Sequence, residues 1–415
     1  MANDFLSQAS FDADTVSLPP DALGHERQAR RIIGFARQLP PGAVIALQGT
    51  WGRGKTDVLA RLAQVTYQPE RPPGVVDRAV WINPWQYGTP DLLTPVVLRL
   101  QDRARTRGGA ALEASKIHGP TVIRAGLGFG AKAGALLGIP GAPLLEAAAP
   151  AAAHAFGALT ADDPGDPVAQ MGDAFRQLVD AACPPEIRGV GGRVFILVDD
   201  LDRCLPERQV ALLQALRFLV SAGASATFVV AMDPDLAKEG VRAFYRTDDF
   251  DAERYLDKMF DLRVDIPPLS DAMLQALIDG ECRRPVLADH GEIALGLKVQ
   301  DAAGALAVPD LRNPRLVSKV FTKLRFLRAA GALPAVSGEQ AVLCLAVFER
   351  WPEVRAAMDV ASPREIALWA DGNSFGTNTD AFLEDLPLSR SLALAASRMS
   401  EESEALHRAL REVGL

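Results

Sequence analysis

Short apolar runs alternate with segments of helical spacing over the first two thirds of the chain. Continuous apolar runs bounded by turn residues are typical of strands that are buried on both faces. They predict strands at 43–47, 79–82, 194–198, 226–232 and 262–266. Between these runs apolar residues recur every three or four positions, which predicts helices at 21–38, 57–67, 92–105, 168–183 and 206–221. This alternation predicts an α/β fold in three layers, a parallel sheet with helices on both faces.

The pattern changes after the last predicted strand. Pro267 and Pro268 close that strand, and from about residue 269 onward the spacing is helical, with no convincing strand. We therefore predict an α/β core at 20–268 that is followed by a helical C-terminal region.

The first candidate for chemistry lies between the strand at 43–47 and the helix at 57–67. Residues 49–56 read Gly-Thr-Trp-Gly-Arg-Gly-Lys-Thr and fit the pattern G-x-x-x-x-G-K-[ST] at every fixed position. A glycine-rich turn from a strand into a helix lets backbone N–H groups and the helix N-terminus surround a polyphosphate. The pattern therefore predicts a site for a nucleoside triphosphate.

Each residue type in this loop has a physical role. The glycines let the backbone approach phosphate oxygens without a Cβ in the way. Lys55 carries a point charge that reaches the β- and γ-phosphates, and Thr56 offers a hydroxyl to Mg²⁺. We assign to nucleotide binding Gly49, Trp51, Gly52, Arg53, Gly54, Lys55, Thr56 and Asp57.

A second part of the predicted site follows the strand at 194–198. That strand is followed by two adjacent carboxylates, Asp199 and Asp200. In open α/β sheets ligands bind at the carboxyl ends of the strands, and a P-loop enzyme needs an acid there to hold Mg²⁺. We assign Asp199 to Mg²⁺ through water, and Asp200 to orienting or deprotonating the attacking water. Asp is shorter than the Glu that many such ATPases carry at this position.

Asp233 follows the third apolar strand and leaves two interpretations open. A polar residue at that point often senses the γ-phosphate in such sheets. Asp233 also precedes Pro234 and so suits the N-cap of the next helix. One residue can do both.

Composition narrows the class of protein only slightly. The 415 residues are 48% hydrophobic and 23% charged, as in an ordinary packed protein. The net charge of −8 does not indicate nucleic-acid binding. The four cysteines are far apart without a C-x-x-C pair, and the N-terminus lacks the pattern of a secretory signal. A cytoplasmic location is therefore expected.

Four stretches in this order resemble the KAP family of P-loop NTPases. They are the P-loop with its internal Trp51, the segment 81–87 that reads Trp-Ile-Asn-Pro-Trp-Gln-Tyr, the acidic segment 198–203, and Asn-Pro-Arg at 313–315. The resemblance covers roughly residues 20–350. It implies an ATPase of the additional-strand class that includes AAA+ and STAND proteins. It also implies that 269–350 forms a helical lid, with 351–415 as a helical C-terminal extension.

The resemblance also suggests roles for further residues. Arg315 matches a lid arginine that contacts the γ-phosphate; the alternative is a surface arginine on a basic helix. Arg203 either anchors the site or pairs with Asp202, and we favour the structural pair. Trp81 and Trp85 are expected to pack in the core or to cap a strand, with adenine or partner contact as the second interpretation.

The stretch 106–167 is rich in Ala, Gly and Pro, and it lengthens the chain between the glycine-rich loop and the acidic pair. Many KAP proteins insert paired transmembrane helices here. A spanning helix needs about 20 strongly apolar residues, whereas charges and prolines interrupt this stretch. We favour an Ala/Gly-rich excursion over a membrane hairpin.

Three functions remain open at this point. The first is a KAP-type ATPase that binds Mg-ATP and hydrolyses it to drive a lid or oligomer switch, with a protein partner or further copies of itself. Members that resemble this chain suggest bacterial antiphage defence. The alternatives are a membrane-associated signalling scaffold and a nucleotide-binding module without turnover.

Overall fold

The computed structural model describes most of the chain outside the Ala/Gly-rich stretch. The described residues are 18–67, 77–86, 93–107, 167–183, 192–221, 225–247, 249–288, 291–373 and 389–414, with a few single positions between them. They form two compact units. Unit 1 comprises Met1–Pro20 and His25–Pro267, and unit 2 comprises Asp21–Gly24 and Pro268–Leu415. The predicted excursion at 106–167 lies almost entirely outside the described residues.

Unit 1 contains five strands and seven helices among the described residues. In chain order these are α1 (His25–Ala36), β1 (Val44–Gln48), α2 (Lys55–Tyr67), β2 (Arg78–Ile82), α3 (Leu93–Arg107), α4 (Pro167–Ala182), β3 (Val194–Val198), α5 (Pro206–Ser221), β4 (Ala226–Met232), α6 (Pro234–Tyr245), α7 (Ala252–Met259) and β5 (Leu262–Asp265). Two short 3₁₀ turns follow β2 and β3, at Pro84–Gln86 and Leu201–Arg203. All five predicted strands are confirmed. The first helix begins at His25 rather than at residue 21, because Gly24 precedes it in a left-handed conformation with φ 68°.

The five strands form one parallel sheet in the order β2-β3-β4-β1-β5. Strand β4 lies between β1, which leads into the glycine-rich loop, and β3, which leads into the acidic pair. This inserted strand is the feature that defines the additional-strand class of P-loop NTPase. The predicted fold class is therefore confirmed.

Both faces of the sheet are buried. Alternate residues of β1 belong to different apolar clusters: Val44 and Ala46 pack on one face, and Ile45 and Leu47 pack on the other. Every residue of β1, β3 and β4 is buried. Continuous burial explains why these strands appear as uninterrupted apolar runs in the sequence.

Unit 2 is mainly helical. Its elements are α8 (Asp271–Arg283), β6 (Val286–Ala288), β7 (Gly291–Ile293), α9 (Val299–Ala305), α10 (Pro314–Ala329), α11 (Gly338–Arg350), α12 (Pro352–Ala357), α13 (Pro363–Ala370), α14 (Arg390–Ser397) and α15 (Glu402–Glu412). One apolar cluster contains residues from Leu274 to Leu410. It therefore draws on both of the segments 269–350 and 351–415.

The expectation of no strand after residue 269 is wrong. Strands β6 and β7 pair antiparallel, with Val286 opposite Ile293. Each strand has three residues, which is too short for a period of two to be visible in the sequence.

Candidate functional site

The glycine-rich loop connects the carboxyl end of β1 to α2. Gly52 and Gly54 adopt positive φ values of 86° and 93°, which residues with a side chain rarely adopt. Helix α2 starts directly at Lys55, and the amide of Val58 donates to the carbonyl of Gly54 at 3.0 Å. The first turn of α2 is thus placed to present its N–H groups to an anion.

A buried histidine supports this loop. A Cβ built on Gly54 would lie 2.3 Å from Cε1 of His25, so the imidazole of His25 packs directly against the loop. His25 is 4% exposed, and its Nδ1 lies 2.7 Å from Oδ2 of Asp57. Arg61 donates from Nε to the same oxygen at 2.9 Å. His25 therefore connects α1 to the loop, a contact that no sequence motif indicated.

Asp57 was predicted to contribute to nucleotide binding, and its carboxylate is bound within the protein. Burial acts to raise the pKa of Asp57, but the hydrogen bond to His25 and the charge of Arg61 hold that pKa below its usual value. The carboxylate is therefore ionised and engaged by His25 and Arg61. Its part in nucleotide binding stays a prediction.

Lys55 is buried at the start of α2. Its ammonium donates to the carbonyl oxygen of Gly49 at 2.8 Å and lies 3.6 Å from Oδ2 of Asp202. Both charged side chains are 8% exposed. Asp202 was not among the predicted site residues, although it lies only two positions beyond the acidic pair.

Asp199 lies at the end of β3 with 2% exposure. Its side chain accepts a hydrogen bond from the amide of Asp200 at 3.0 Å, and the side chain of Thr56 is close enough to favour the ionised carboxylate. Burial, and then the charge of Asp200, raise the pKa of Asp199 to about 7, although Thr56 and Lys55 act in the opposite direction. The P-loop threonine and the β3 carboxylate are thus brought together across the intervening strand β4.

The donor set formed by Thr56 and Asp199 fits a magnesium ion. A hydroxyl and a carboxylate are oxygen donors of the kind that Mg²⁺ takes from proteins, alongside water and phosphate. A buried carboxylate next to a second carboxylate is electrostatically unfavourable, as the raised pKa of Asp199 shows. A divalent cation at this point would relieve that cost.

Asp200 adopts a left-handed conformation with φ 55° and ψ 37°. Its Oδ2 accepts a hydrogen bond from Nδ2 of Asn83 at 3.1 Å, and its Oδ1 lies 3.0 Å from Nε of Arg203. Asp and Asn adopt this conformation more readily than most residues. Both oxygens of the predicted base are therefore engaged by neighbouring side chains.

The expected pair between Arg203 and Asp202 is wrong. In the 3₁₀ turn at Leu201–Arg203, side chains three positions apart lie on the same side, so Arg203 meets Asp200 instead. The guanidinium of Arg203 also lies 5.7 Å from the ring centroid of Trp85, a cation–π geometry. Asp202 points to Lys55.

Asp233 is the N-cap of α6, which confirms one of its two interpretations. Its side chain accepts a hydrogen bond from the amide of Asp235 at 3.1 Å. Its own amide donates to Oδ2 of Asp202 at 3.1 Å. Sensing of the γ-phosphate by Asp233 stays a prediction.

Trp51 in the glycine-rich loop and Trp85 after β2 are exposed, unlike the buried residues around them. Trp51 is 60% exposed and Trp85 is 46% exposed. Trp81, on β2, is partly buried and packs against the apolar cluster that contains Ile45 and Leu47. Core packing thus holds for Trp81 and not for Trp85. Arg53 donates from Nε to the hydroxyl of Thr50 at 3.3 Å within the loop.

Arg315 lies in unit 2 in the first turn of α10. The side chain of Asn313 caps this helix by accepting from the amides of Arg315 and Leu316, at 2.9 and 3.3 Å. The Asn-Pro-Arg sequence is therefore a helix start, with Asn as the cap and Pro at the first helical position. Contact of Arg315 with a γ-phosphate stays a prediction.

Within the part of the chain that the structure describes, no helix combines the length and the apolar character needed to cross a membrane.

Comparison with known proteins places these features in a family. The model of the KAP family P-loop domain matches residues 35–329. No curated protein matches the chain. Among solved structures, the chain is similar to the ORC2 protein of Aeropyrum pernix in ADPNP-ADP complexes, with 12% identity, coverage of 97% of this chain and 89% of that chain, and a TM-score of 0.41. It is also similar to the Aeropyrum pernix ORC1 protein in complex with DNA, with 12% identity, coverage of 96% and 84%, and a TM-score of 0.39.

Proposed function

The chain belongs to the KAP family of P-loop NTPases, and we propose that it binds Mg-ATP at the edge of the sheet and hydrolyses it. One observation carries the proposal. The start of α2, with Lys55 and Thr56, meets the acidic segment that follows β3, since the Lys55 ammonium lies 3.6 Å from Oδ2 of Asp202. Hydrolysis of a nucleoside triphosphate requires groups that bind the phosphates, the cation and the attacking water close to one another.

Each residue has a defined task in this proposal. Lys55 exchanges the carbonyl of Gly49 for phosphate oxygens. Thr56 and Asp199 hold Mg²⁺, which neutralises charge on the phosphates when it is bound. Asp200 orients or deprotonates the attacking water, since each of its oxygens has one contact in the structure and can accept a second hydrogen bond.

Binding without turnover is the second candidate, and the same residue favours it. The Asp200 carboxylate is shorter than a Glu, and both of its oxygens are engaged. Both candidates predict that Lys55→Ala loses ATP binding, and they differ in whether the wild type releases phosphate. Phosphate release by the wild type therefore separates them, and Asp200→Asn then tests the task of Asp200.

The experiment measures ATP binding and phosphate release for purified variants. We expect Lys55→Ala to weaken binding at least tenfold and to abolish release. Asp200→Asn is expected to bind like the wild type and to lose turnover, because only water activation is removed. Release by Asp200→Asn at the wild-type rate would remove Asp200 from its assigned task. A wild type that binds ATP without releasing phosphate would establish the second candidate.

We further propose that nucleotide drives a switch that involves the helical unit and an oligomer or protein partner. Support comes from the match of Arg315 to a lid arginine. We expect Arg315→Ala to lower turnover more than binding, and we expect the mass in solution to change between ATP and nucleotide-free conditions. An unchanged mass together with unchanged turnover would contradict the switch.

A role in antiphage defence is the biological setting that the family resemblance suggests. We expect a bacterial host that expresses the chain in its gene context to plate phage at reduced efficiency. Lys55→Ala should restore plating, because the proposed switch needs nucleotide. Equal protection by wild type and Lys55→Ala would contradict this setting.

A further inference from the structure

Asp202 is the acidic partner of the P-loop lysine. Among the residues that the structure describes, it is the carboxylate that lies within 4 Å of the Lys55 ammonium, with Oδ2 at 3.6 Å from Nζ. The other polar contact of the ammonium is the neutral carbonyl of Gly49. A buried ammonium is unfavourable without a counter-charge, and Asp202 supplies that charge.

The same oxygen of Asp202 has a second contact. Oδ2 accepts the amide of Asp233 at 3.1 Å, at the point where β4 ends and α6 begins. One carboxylate oxygen therefore connects the start of α2 to the end of β4. This connection holds Asp202 in position independently of Lys55.

The turn after β3 explains how Asp202 reaches this position. Asp200 is left-handed, and the 3₁₀ turn at Leu201–Arg203 follows at once. Arg203 returns to Asp200, whereas Asp202 is directed to Lys55. The three aspartates of this segment therefore contact different groups.

We propose that Asp202 is a positioning residue that holds the Lys55 ammonium before a nucleotide binds and competes with polyphosphate for it. The proposal rests on the proposed function, since it assumes that phosphate is the ligand of Lys55. An arriving phosphate supplies the counter-charge itself, and the Asp202 carboxylate then repels it. Asp202 therefore stabilises the nucleotide-free protein and lowers its affinity for polyphosphate.

Asp202→Asn tests both halves of this proposal. The Asn side chain has the shape of Asp and keeps an oxygen that can accept the backbone N–H of Asp233, but it carries no charge. We expect a lower melting temperature without nucleotide, because Lys55 loses its counter-ion. We also expect Mg²⁺-free ADP to bind about tenfold more tightly, because one repulsive charge near the phosphates is gone. Asp102→Asn, which neutralises an exposed carboxylate in the same unit, is the matched control and should change neither quantity.

The expected fall in melting temperature and rise in ADP affinity have opposite signs for stability and binding, which distinguishes a positioning role from a purely structural one. If Asp202 only maintains the turn, Asp202→Asn lowers both the melting temperature and the affinity, which would overturn the proposal. A second arm uses the Lys55→Met background. There Asp202→Asn should raise the melting temperature, because no ammonium remains to be held, and should tighten ADP binding by less than the tenfold expected with Lys55 present, because only the direct repulsion of the phosphates is removed. Equal effects in both backgrounds would show that Asp202 does not act through Lys55.

The two arms also separate this proposal from the proposed function. A wild type that binds neither ADP nor ATP contradicts the function and the competition. The melting temperatures of the wild type and the three variants of the cycle still decide the Lys55–Asp202 pairing. Where Asp202→Asn alone does not fold, the double variant Lys55→Met/Asp202→Asn must fold, since it removes both buried charges. Failure of the double variant to fold would overturn the pairing.

Discussion

Gly54→Ala is the change that best tests how tightly the glycine-rich loop is packed. The added Cβ would lie 2.3 Å from Cε1 of His25, and 3.1 and 3.2 Å from its two ring nitrogens. The imidazole cannot simply rotate away, because His25 is 4% exposed and its Nδ1 is bound to Asp57 at 2.7 Å. The substitution therefore forces either the loop or the His25–Asp57 contact to change.

The cost has two separable parts. A left-handed backbone costs a residue with a Cβ about 1–2 kcal/mol, and φ at Gly54 is 93°. Loss of a buried hydrogen bond to a charged group costs about 1.5–3 kcal/mol. We expect Gly54→Ala to lower the free energy of unfolding of unit 1 by roughly 3–5 kcal/mol, a large share of the ~5–15 kcal/mol of a typical domain. Polyphosphate binding should fall with it.

Urea unfolding followed by circular dichroism measures this cost in the absence of nucleotide. Gly34→Ala is the matched control, because Gly34 lies in α1 and a Cβ there would meet nothing within 4 Å. It should stabilise the protein by about 0.5–1 kcal/mol through helix propensity. In a His25→Ala background the further cost of Gly54→Ala should fall to roughly 1–2 kcal/mol, the backbone part alone. A Gly54→Ala protein that unfolds at the wild-type urea concentration would refute the reasoning.

Two further predictions concern packing and pH. Gly240→Ala places a Cβ 2.3 Å from Oε1 of Gln209, whose buried amide donates to the carbonyl of Cys204 at 2.8 Å. We expect this substitution to destabilise the protein by about 1–3 kcal/mol in urea unfolding. The control Gly280→Ala should not destabilise it, because the space around its Cβ is open. Burial acts to raise the pKa of Glu349, but Lys323 and Lys319 hold that pKa below its usual value. Because the folded-state pKa is lowered, the contribution of Glu349 to stability is present above its unfolded-state pKa and is lost as the pH falls through the folded-state value. Glu349→Gln should therefore lose less free energy of unfolding than the wild type between about pH 5 and pH 3. The same loss in both proteins over this range would contradict the ion pair.

The strands of unit 1 could be predicted because of how they are buried. A strand covered on both faces has few polar positions, so β3 at Val194–Val198 is wholly apolar, and β4 at Ala226–Met232 is apolar except for Thr227. Strands β6 and β7 were missed because three residues are too few for a pattern.

The candidate site was predicted where one motif carries the chemistry. Lys55 and Thr56 begin α2 and Asp199 follows β3, as their motifs predict, and the roles of these residues stay predictions. His25 and Asn83 were missed as contacts of the site. His25 belongs to no motif, and Asn83 lies in the segment 81–87, for which no contact with the acidic pair was predicted. The pairing of Arg203 was predicted wrongly, since adjacency in sequence favoured Asp202 and the 3₁₀ turn favours Asp200.

The sequence by itself determined the class of fold, the glycine-rich loop and the acidic pair, because local spacing dictates helices, strands and the turn between them. Only the tertiary structure decided which charges meet. Asp199, Asp200 and Asp202 are nearly adjacent in the chain and differ in their partners, which are the amide of Asp200, Arg203 with Asn83, and Lys55. The physical reason is the left-handed backbone at Asp200 and the 3₁₀ turn that follows it, which direct the side chains of Asp200 and Asp202 to different neighbours.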